Sequence, residues 1–587
     1  MAADARHARR LGVVAILAAA SAGIPAIGGA AAVITQHAAN ASAPVKLYVS
    51  QKGSDAGPGT AARPFRSIAT AVKRATRNAT VVVGSGVYRE SIGDVAQPVT
   101  IEAAPGATVW ISGADVVTGW SAVAGGWVHH NWTTQFCHTC YDPRALDPRF
   151  PYAGYPDMAF VNGKALTQVG SVSALRAGTF YVDYAAHNLY VGSNPNGAVV
   201  EAATRIEAAR FTTAAAGSVV RGIGFKDFAS DWNTNPYPAM VLDLAPKMTF
   251  DGDTFLGSAS RGLSVYAANV TVRASTFIAN GFTGFHANTA DNLDFEGNTA
   301  AYNNTEEFWP GFSPVASVSG VKITSSAHVL VKDNVVEDNY SNGIWFDVSS
   351  YDATVVDNFA QANFRNGIYI EITGTSIVAS NLSILNGQAG LKLSGATEAR
   401  VYNNTLADNA EYQLSVHDDG RVNTNPQQIA LGITWRAANN TFANNVLSAP
   451  RNGEIGPLVY TEDLDKPKNV DASTMITGMV DDVYARSGPN RPTYLAEWTR
   501  IAPLPLSKYA TLAAFQAATG YESGAIDYTN YSSSPIFVNE AQGNYSLQPG
   551  SRLANSGLPL PSDIAAVVGV PCCGAVNRGA LVYPGHQ

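Results

Sequence analysis

The sequence predicts an all-β solenoid in which short parallel strands stack as successive rungs of a coil. Glycines recur at an almost constant spacing, since Gly367 lies 24 positions after Gly343 and Gly390 lies 23 positions after Gly367. A fixed period of this size is the mark of a repeat architecture. Around these glycines apolar and polar residues alternate, as in the segments NGIWFD and NGIYIE, and this alternation is typical of a strand with one buried face.

Two asparagines accompany most of the glycines. One precedes the glycine by four positions, as Asn339 and Asn363 do, and a second lies five positions further upstream, as Asn334 and Asn358 do. Asparagines stacked at turn corners can hydrogen-bond to one another and to the turn backbone. Because 23 or 24 residues leave no room for a helix between strands, we expect the strands to stack in parallel.

The pattern N-x-x-x-x-N-x-x-x-G-I, followed by alternating apolar residues, resembles the right-handed parallel β-helix of the pectin lyase-like superfamily. The resemblance covers most of the chain and implies a carbohydrate-active protein, such as a glycoside hydrolase or a polysaccharide lyase. The Gly-His-Gly and Arg-Ile-Lys segments of polygalacturonase-like members are absent from this sequence. The sequence also lacks an evident aspartate cluster with an arginine base, as in a pectate lyase, so no catalytic residue is transferred from the resemblance.

Composition and charge narrow the classes of partner. The 587 residues include 53 Gly and 30 Pro, which suits a fold rich in turns, and 46% hydrophobic residues, which suits a large core. A formal net charge of −8 argues against nucleic acid. The 25 Tyr, 22 Phe and 9 Trp offer surfaces on which sugar rings can stack. We expect a polysaccharide as the partner and a monomer as the functional form.

The first 41 residues predict an export signal, and hence a secreted, extracellular protein. Arg9 and Arg10 precede an uncharged run over residues 11–34, and a basic segment before an apolar one is typical of such signals. Cleavage after Ala41 would remove the whole segment, and the residues Ala30 to Ala32 would also serve as a cleavage site. The alternative is an uncleaved membrane anchor, because a run of this length can span a bilayer, although its Ala and Gly content makes it weakly hydrophobic.

Four parts follow the signal. Residues 46–118 form the N-terminal cap and first rungs, with an amphipathic helix over 64–77 that closes the open end of the coil. Residues 119–205 interrupt the period with strand and hairpin patterns, which predicts an inserted β module. Residues 206–447 contain the main rungs, and residues 448–587 supply the last rungs and a C-terminal cap.

The inserted module carries Cys137 and Cys140, which are separated by two residues. A structural zinc site would need a second pair, and Cys572 and Cys573 are adjacent to each other and distant in the sequence. In an exported protein, a local disulfide or two free thiols are the favoured alternatives.

One turn of the coil, over residues 304–320, exceeds the period by about a dozen residues, and insertions of this kind usually form loops on the binding face. The turn contains Glu306, Glu307, Phe308 and Trp309. We expect this loop to overhang the strands that follow the glycines, with Trp309 in contact with substrate.

Alignment of the repeats places the polar residues of these strands in two outward columns, which together we call the strip. The first column, two positions after each glycine, contains Ser264, His286, Lys322, Trp345, Tyr369, Lys392 and Ser415. The second column, four positions after it, contains Tyr266, Asn288, Thr324, Asp347, Glu371, Ser394 and His417. The residues between the columns are apolar, so the strip is the expected outer surface of one sheet.

Asp347 and Glu371 occupy the same column on successive rungs, so their backbones should lie about 4.7 to 4.9 Å apart. Like charges in this position destabilise a sheet unless one acid is protonated, a cation bridges the two, or the side chains turn into water. Retaining glycosidases hold their two catalytic carboxyls about 5 to 5.5 Å apart. The pair therefore predicts a nucleophile and an acid/base, in an unassigned order. The alternative is that both acids only solvate the sheet.

The rest of the strip predicts substrate contacts. Trp345 and Tyr369 offer flat apolar faces for pyranose rings. The other predicted substrate-binding residues are Lys322, Lys392, His286 and Asn288, together with Trp309 of the inserted loop. His417, two rungs beyond Glu371, is a third candidate acid or base, although it also fits a structural residue that precedes a turn.

Two other functions remain open. A lyase would use Lys322, Lys392 or His417 to remove the proton α to a uronate carboxylate, while the acids held a cation such as Ca²⁺. A hydrolase would need no cofactor. A non-catalytic glycan-binding or surface-adhesion protein would use the strip only to hold a polysaccharide.

Overall fold

The computed structural model describes residues 45–231, 238–309, 318–448, 456–465, 468–501, 506–531 and 535–581. The predicted export signal lies outside these residues. No helix in the described part of the chain is long and apolar enough to cross a membrane.

The predicted parallel β-helix is confirmed. Three sheets of 13 strands each run along the molecule. Neighbouring strands pair in parallel, except for the last pair of one sheet, which is antiparallel. In each rung the chain passes through the front sheet, then the back sheet, then the side sheet, so each sheet receives one strand per repeat.

The three sheets are defined by their strands. The front sheet, which carries the strip, consists of Gly93–Val95, Ala209–Phe211, Ala239–Asp243, Arg261–Val265, Thr283–Asn288, Ser319–Thr324, Asn342–Asp347, Ile368–Glu371, Ala389–Ser394, Tyr412–Asp418, Val459–Asp463, Ala496–Thr499 and Leu506–Tyr509. The back sheet consists of Lys46–Val49, Ala79–Val83, Val99–Ala103, Val219–Arg221, Thr249–Asp251, Thr271–Arg273, Asp294–Glu296, Leu330–Lys332, Tyr351–Val356, Gly374–Ala379, Thr397–Tyr402, Asn440–Ala443 and Ile476–Val480. The side sheet consists of Gly86–Tyr88, Val109–Ser112, Ile223–Lys226, Thr254–Leu256, Thr276–Ile278, Thr299–Ala301, Val335–Glu337, Phe359–Gln361, Leu382–Ile384, Thr405–Ala407, Val446–Ser448, Val483–Ala485 and Ile526–Tyr528.

Alternation along the front strands directs apolar side chains into the coil. Ile344 and Phe346 pair with Ile368 and Ile370 on the next rung, and all four are at most 1% exposed. Equivalent residues of the other rungs join them in one continuous apolar core. Burial of these side chains is the main source of stability for each rung.

Two asparagine ladders fix the corners of the coil, as the repeat pattern predicts. Asn358 Nδ2 donates to Asn381 Oδ1 at 3.0 Å and to the carbonyls of Val331 and Val356 at 2.9 Å. Its Oδ1 accepts from Asn334 Nδ2 at 2.9 Å. Each buried amide therefore joins neighbouring rungs and satisfies main-chain carbonyls at the tight corner.

The second ladder explains why Gln413 replaces the glycine of the repeat. It runs through Asn303, Asn339, Asn363, Asn386 and Asn409. It ends at Gln413, whose Oε1 accepts from Asn409 Nδ2 at 2.8 Å. Gln413 stands where the repeat has a glycine, and its longer side chain takes the place of the next asparagine.

The N-terminal helix is shorter than predicted. It spans Ile68–Arg74 rather than 64–77, because Phe65 is part of an extended segment and donates its N–H to the carbonyl of Tyr48 at 2.8 Å. Ser67 then caps the helix by accepting from the N–H of Thr70. The buried face of the helix packs on the core and closes this end of the coil.

Between residues 114 and 203 the chain leaves the coil and forms the inserted module, which has a core of its own. Its four-stranded sheet contains Ala114–Val116, Ala159–Val161, Lys164–Ala165 and Val200–Ala203, and its five-stranded sheet contains Ser121–Val123, Gly126–His130, Thr167–Gln168, Thr179–Asp183 and Asn188–Val191. Cys137 and Cys140 form a disulfide, one of the two predicted alternatives, and Cys572 and Cys573 are free thiols.

The C-terminal end of the coil is closed by the helix Leu512–Thr519. Phe515 of this helix packs against Trp498 with ring centroids 5.1 Å apart, and both side chains are fully buried. A hairpin of Phe537–Asn539 and Asn544–Leu547 follows. The other described helices are Pro426–Ala430, Ala472–Met475 and Ser562–Val568, with short 3-10 helices at Pro143–Ala145, Val172–Ala174, Thr213–Ala215 and Glu540–Gln542.

We predict that Asn358→Ala lowers the free energy of unfolding by about 2 to 4 kcal/mol, because it removes several buried hydrogen bonds and leaves carbonyls without donors. Urea unfolding followed by circular dichroism measures the change. The matched control is Asn196→Ala, at an exposed position, which should cost no more than about 0.5 kcal/mol. Equal losses in the two variants would contradict a structural role for the ladder.

Candidate functional site

The predicted strip exists, with the predicted register. Along the first column Lys322 pairs with Trp345, Trp345 with Tyr369, and Tyr369 with Lys392. In the second column, Asp347 and Glu371 directly follow the paired residues Phe346 and Ile370. The two acids therefore stand at equivalent positions of neighbouring strands.

The expectation that the strip is an open outer surface is wrong for most of its residues. Lys322 is 0% exposed, and His286, Tyr369 and His417 are at most 9% exposed. Side chains of neighbouring rungs cover one another, and Arg421, which follows the front strand Tyr412–Asp418, reaches Glu371. Trp345, Asp347, Lys392 and Asn288 are half-buried.

Asp347 is held through both carboxylate oxygens. Lys322 Nζ donates to Oδ2 at 2.6 Å, and the main-chain N–H of Val348 donates to Oδ1 at 2.7 Å. Lys322 Nζ also lies 2.8 Å from the ring centroid of Trp345. Burial lowers the pKa of the Lys322 ammonium, and the nearby carboxylate of Asp347 acts in the opposite direction. The Asp347 side chain keeps 13% of its surface exposed.

Glu371 is held by a different pair of donors. Trp345 Nε1 donates to Oε2 at 2.9 Å, and Arg421 Nη2 donates to Oε1 at 2.6 Å. Arg421 Nη2 also donates to Asp419. The Glu371 side chain is 10% exposed. An indole from the rung of Asp347 thus binds the acid of the next rung, which brings the two carboxylates into one polar cluster.

The sequence predicts three ways in which the repulsion between the two acids could be relieved, and the structure shows a fourth. Each carboxylate has a basic partner of its own, Lys322 for Asp347 and Arg421 for Glu371. Lys322 lies one rung before Asp347 and belongs to the first column, so its place beside Asp347 follows from the repeat. Arg421 follows the front strand Tyr412–Asp418, in the segment HDDGR. No feature of the repeat predicts that it contacts Glu371.

The aromatic pair of the strip is stacked. The rings of Trp345 and Tyr369 lie 5.4 Å apart at an angle of 13°. Burial raises the pKa of the Tyr369 phenol well above its usual value. Lys392 Nζ lies 5.1 Å from the Tyr369 ring centroid, and burial, followed by the charge of Arg365, lowers the pKa of its ammonium. Lys392 forms no salt bridge with a carboxylate in the described part of the chain.

The two histidines of the strip are both neutral at pH 7, because burial lowers their pKa well below the usual value. His417 Nε2 lies 2.6 Å from Ser415 Oγ. His286 Nδ1 has no hydrogen-bond partner among the described residues, and its ring lies 5.5 Å from that of Tyr266. A neutral imidazole can still accept a proton. The role predicted for His417, as an acid or base, and that predicted for His286, as a substrate contact, therefore stay predictions.

Trp309 lies at the junction of the inserted turn and the inserted module. The main-chain N–H of Trp309 donates to the carbonyl of Ala145 at 2.9 Å, and the residue is 37% exposed. Phe308 is buried against Phe282 and the module residue Ala153. The remainder of the inserted turn, residues 310–317, lies outside the described residues, so the predicted contact of Trp309 with substrate stays a prediction.

One group of acids has the spacing of a metal site. Carboxylate oxygens of Asp418, Asp463 and Asp465 lie within 4.8 Å of one another. Arg436 Nη2, however, lies 2.8 Å from Asp418 and 3.1 Å from Asp465. Asp463 also accepts from the N–H groups of residues 469 and 470. The guanidinium offsets one of the three carboxylate charges, so Arg436 and these acids form an ion-pair cluster with an excess of negative charge.

Comparisons with known proteins agree with the fold. A family model described as a right handed beta helix region matches residues 243–406. A solved structure of XylC in complex with xylose is 15% identical, with a TM-score of 0.56, over 70% of this chain and 76% of that chain. A glycoside hydrolase is 12% identical, with a TM-score of 0.37, over 64% of this chain and 94% of that chain. Pectate lyase Pel9A is 10% identical, with a TM-score of 0.34, over 92% and 97%.

No curated protein matches the sequence. The family model and the likeness to XylC establish a right-handed parallel β-helix, which confirms the predicted fold class.

We predict that Lys322→Met lowers the free energy of unfolding by about 3 to 5 kcal/mol at pH 7, because it leaves the half-buried Asp347 carboxylate without its cation.

Urea unfolding at pH 7, followed by circular dichroism, measures this loss. The matched control is Lys508→Met, which breaks an ion pair with Glu497 in which the lysine side chain is 45% exposed and should cost at most about 1 kcal/mol. A loss in Lys322→Met that is no larger than in the control would contradict the pairing of Lys322 with Asp347 as a source of stability.

Proposed function

We propose that the protein is a secreted glycoside hydrolase in which Asp347 and Glu371 are the two catalytic carboxylates. The observation that carries this proposal is the position of the two carboxylates relative to each other. They stand on adjacent rungs of one sheet, each is fixed by two hydrogen bonds, and each remains partly accessible, at 13% and 10% of its side-chain surface.

The spacing of the two residues supports a retaining mechanism. Equivalent positions on neighbouring strands lie about 4.7 to 4.9 Å apart, close to the carboxyl separation of about 5 to 5.5 Å in retaining glycosidases. Such enzymes form a covalent glycosyl-enzyme intermediate and return a product with the configuration of the substrate. An inverting enzyme needs a wider gap for water between its acids, which neighbouring rungs do not favour.

The hydrogen bonds favour one assignment of roles. Asp347 has a dedicated ammonium and a main-chain N–H, which orient an ionised carboxylate for attack on the anomeric carbon. Arg421 is shared between Glu371 and Asp419, so Glu371 is the better group to give up and recover a proton. Glu371 protonates the leaving oxygen as Asp347 attacks, and it then takes a proton from the water that releases the sugar.

The surroundings of the acids suit a pyranose. Trp345 and Tyr369 stack on each other in the column beside the two carboxylates, so an apolar wall adjoins the acids. XylC, whose fold is similar, was solved with xylose, so xylosides belong in the first panel of substrates. The predicted polysaccharide partner is retained as part of this proposal.

We predict that Asp347→Asn and Glu371→Gln each lower kcat at least about a hundredfold. The release of reducing ends from xylosides and from plant and microbial polysaccharides measures this loss. Glu371→Gln should recover most of its rate in the first step on a dinitrophenyl glycoside, whose leaving group needs no proton, whereas Asp347→Asn should not. Asp352→Asn, at an exposed residue of the next strand, is the matched control and should keep full activity.

Product stereochemistry provides a second prediction for this mechanism. Proton NMR of the first product formed should show the anomeric configuration of the substrate, because two displacements at the same carbon restore it. Inversion would contradict Asp347 as a nucleophile. Activity of both acid variants at the wild-type rate would remove the pair from the site.

A lyase acting on a uronate polymer is the second candidate, and Lys392 is the observation that favours it. Its ammonium has a lowered pKa and forms no salt bridge with a described carboxylate, so it could hold the substrate carboxylate or remove the α proton. Products that absorb in the ultraviolet would identify a lyase. Binding of a polysaccharide without any product would identify a non-catalytic glycan-binding protein.

A further inference from the structure

A cavity of about 650 Å³ lies where the inserted module meets the first rungs of the coil. The module contributes residues 133–136. The coil contributes Ser91, Gly93 at the start of a front strand, and Arg210 on the next front strand, together with residues 204–207 that lead from the module back to the coil. Cavities of this size hold small ligands in many proteins.

Hydrogen bonds and ring stacking hold the module wall of this cavity in place. The main-chain N–H of Phe136 donates to Tyr184 Oη at 2.9 Å, and Tyr184 Oη donates to Asp157 Oδ1 at 2.8 Å. His138 Nε2 lies 2.5 Å from Asp157 Oδ2, and the His138 ring stacks on that of Tyr155 with centroids 3.8 Å apart. The wall is therefore formed before any ligand binds, which lowers the entropic cost of binding.

The lining combines donors, acceptors and apolar surface. Its charged residues are two of each sign, namely Arg205, Arg210, Glu207 and Asp231. Arg210 Nη2 donates to Glu207 Oε2 at 3.0 Å, whereas Arg210 Nη1 has no hydrogen-bond partner in the described part of the chain. Phe136 and Ile206 supply apolar faces. The balance of charge gives no preference for an anionic ligand, and sugar hydroxyls can pair with both the guanidinium and the carboxylate groups.

The cavity and the two catalytic carboxylates belong to the same sheet. The strand pairs of the first column run from Arg210 through Leu242, Ser264, His286 and Lys322 to Trp345. Five steps of about 4.8 Å separate Arg210 from Trp345, or about 24 Å along the sheet. Leu242 and Ser264 lie between them and are 0% exposed. The cavity is therefore a separate site and not a continuation of the surface beside the acids.

We propose that this cavity binds one segment of a neutral polysaccharide while another segment of the same chain reaches Asp347 and Glu371. This inference rests on the proposed function, because it assigns a second contact to the same substrate. A chain of several sugars can span the distance, and its attachment at the cavity raises its effective concentration at the acids. A glycoside of a single sugar is too short to reach both places, so the cavity does not affect its cleavage.

The test compares a soluble neutral polysaccharide with an aryl glycoside of its own sugar, beginning with arabinoxylan and a nitrophenyl xyloside. The variants Arg210→Gln and Phe136→Ala each remove one side chain of the lining and leave both catalytic acids in place. We expect each variant to lower kcat/KM for the polysaccharide about tenfold or more and to leave kcat/KM for the aryl glycoside within about twofold of the wild type.

The matched control for Arg210→Gln is Arg273→Gln. Arg273 also forms a surface ion pair, since its Nη2 lies 2.9 Å from Asp251 Oδ2, but it belongs to a strand of the back sheet. This control should keep the wild-type value of kcat/KM on both substrates. Thermal unfolding of the three variants checks that they are equally folded.

Affinity electrophoresis of the full chain, in gels that contain arabinoxylan or alginate, measures binding without cleavage. Retardation of the wild type by arabinoxylan that is weaker in Arg210→Gln supports the site, and if no glycoside is cleaved it overturns only the hydrolase. Equal retardation of the wild type and both variants, or stronger retardation by alginate, overturns the site.

Two further outcomes also count against the proposal. An equal fall in kcat/KM for the polysaccharide and the aryl glycoside in Arg210→Gln would show that the residue acts through the fold, and it would overturn the site while the hydrolase stands. The absence of both retardation and cleavage in the wild type overturns the site and the hydrolase together.

Discussion

The register between rungs is the constraint on which the candidate site depends. Side chains alternate between the core and the surface, so a slip of one residue would turn Asp347 and Glu371 into the apolar core. The asparagine ladders prevent such a slip, because each buried amide bonds the next rung and the corner carbonyls together. The same bonds that stabilise the coil therefore place the two acids at equivalent positions of adjacent strands.

Burial then decides how the charges of the strip must be arranged. A buried ionised group is costly unless it is paired and hydrogen-bonded. Lys322 is fully buried and pairs with Asp347 on the next rung. Glu371 follows one rung later, and the rung after it supplies Lys392, which does not pair with it directly. A cation from outside the repeat, Arg421, provides that partner, and it orients the second acid without placing another lysine in the column.

The parts of the site that follow from the period could be predicted from the sequence, and the parts that depend on the path of the loops could not. Columns, register, core residues and the Asp347–Glu371 pair are consequences of a spacing of 23 or 24 residues, which is local information. The burial of the strip and the return of Arg421 depend on segments with no period. The N-terminal helix shows the same limit. Its apolar pattern includes Phe65, but the main chain of Phe65 pairs with Tyr48, so the helix begins only after Ser67.

A bare sheet of a β-helix is an open surface with the dielectric of water, and a pair of carboxylates on it would act as ordinary solvated acids. The non-repeating segments change this environment. The inserted module packs against the turn that carries Phe308. The segment after the front strand Tyr412–Asp418 is anchored by Arg436, which pairs with Asp418 and Asp465. Both lie outside the repeat, so they can vary in length and composition without disturbing the register of the rungs. Such a division allows one coil to keep its carboxylates in place while the enclosing segments determine their surroundings.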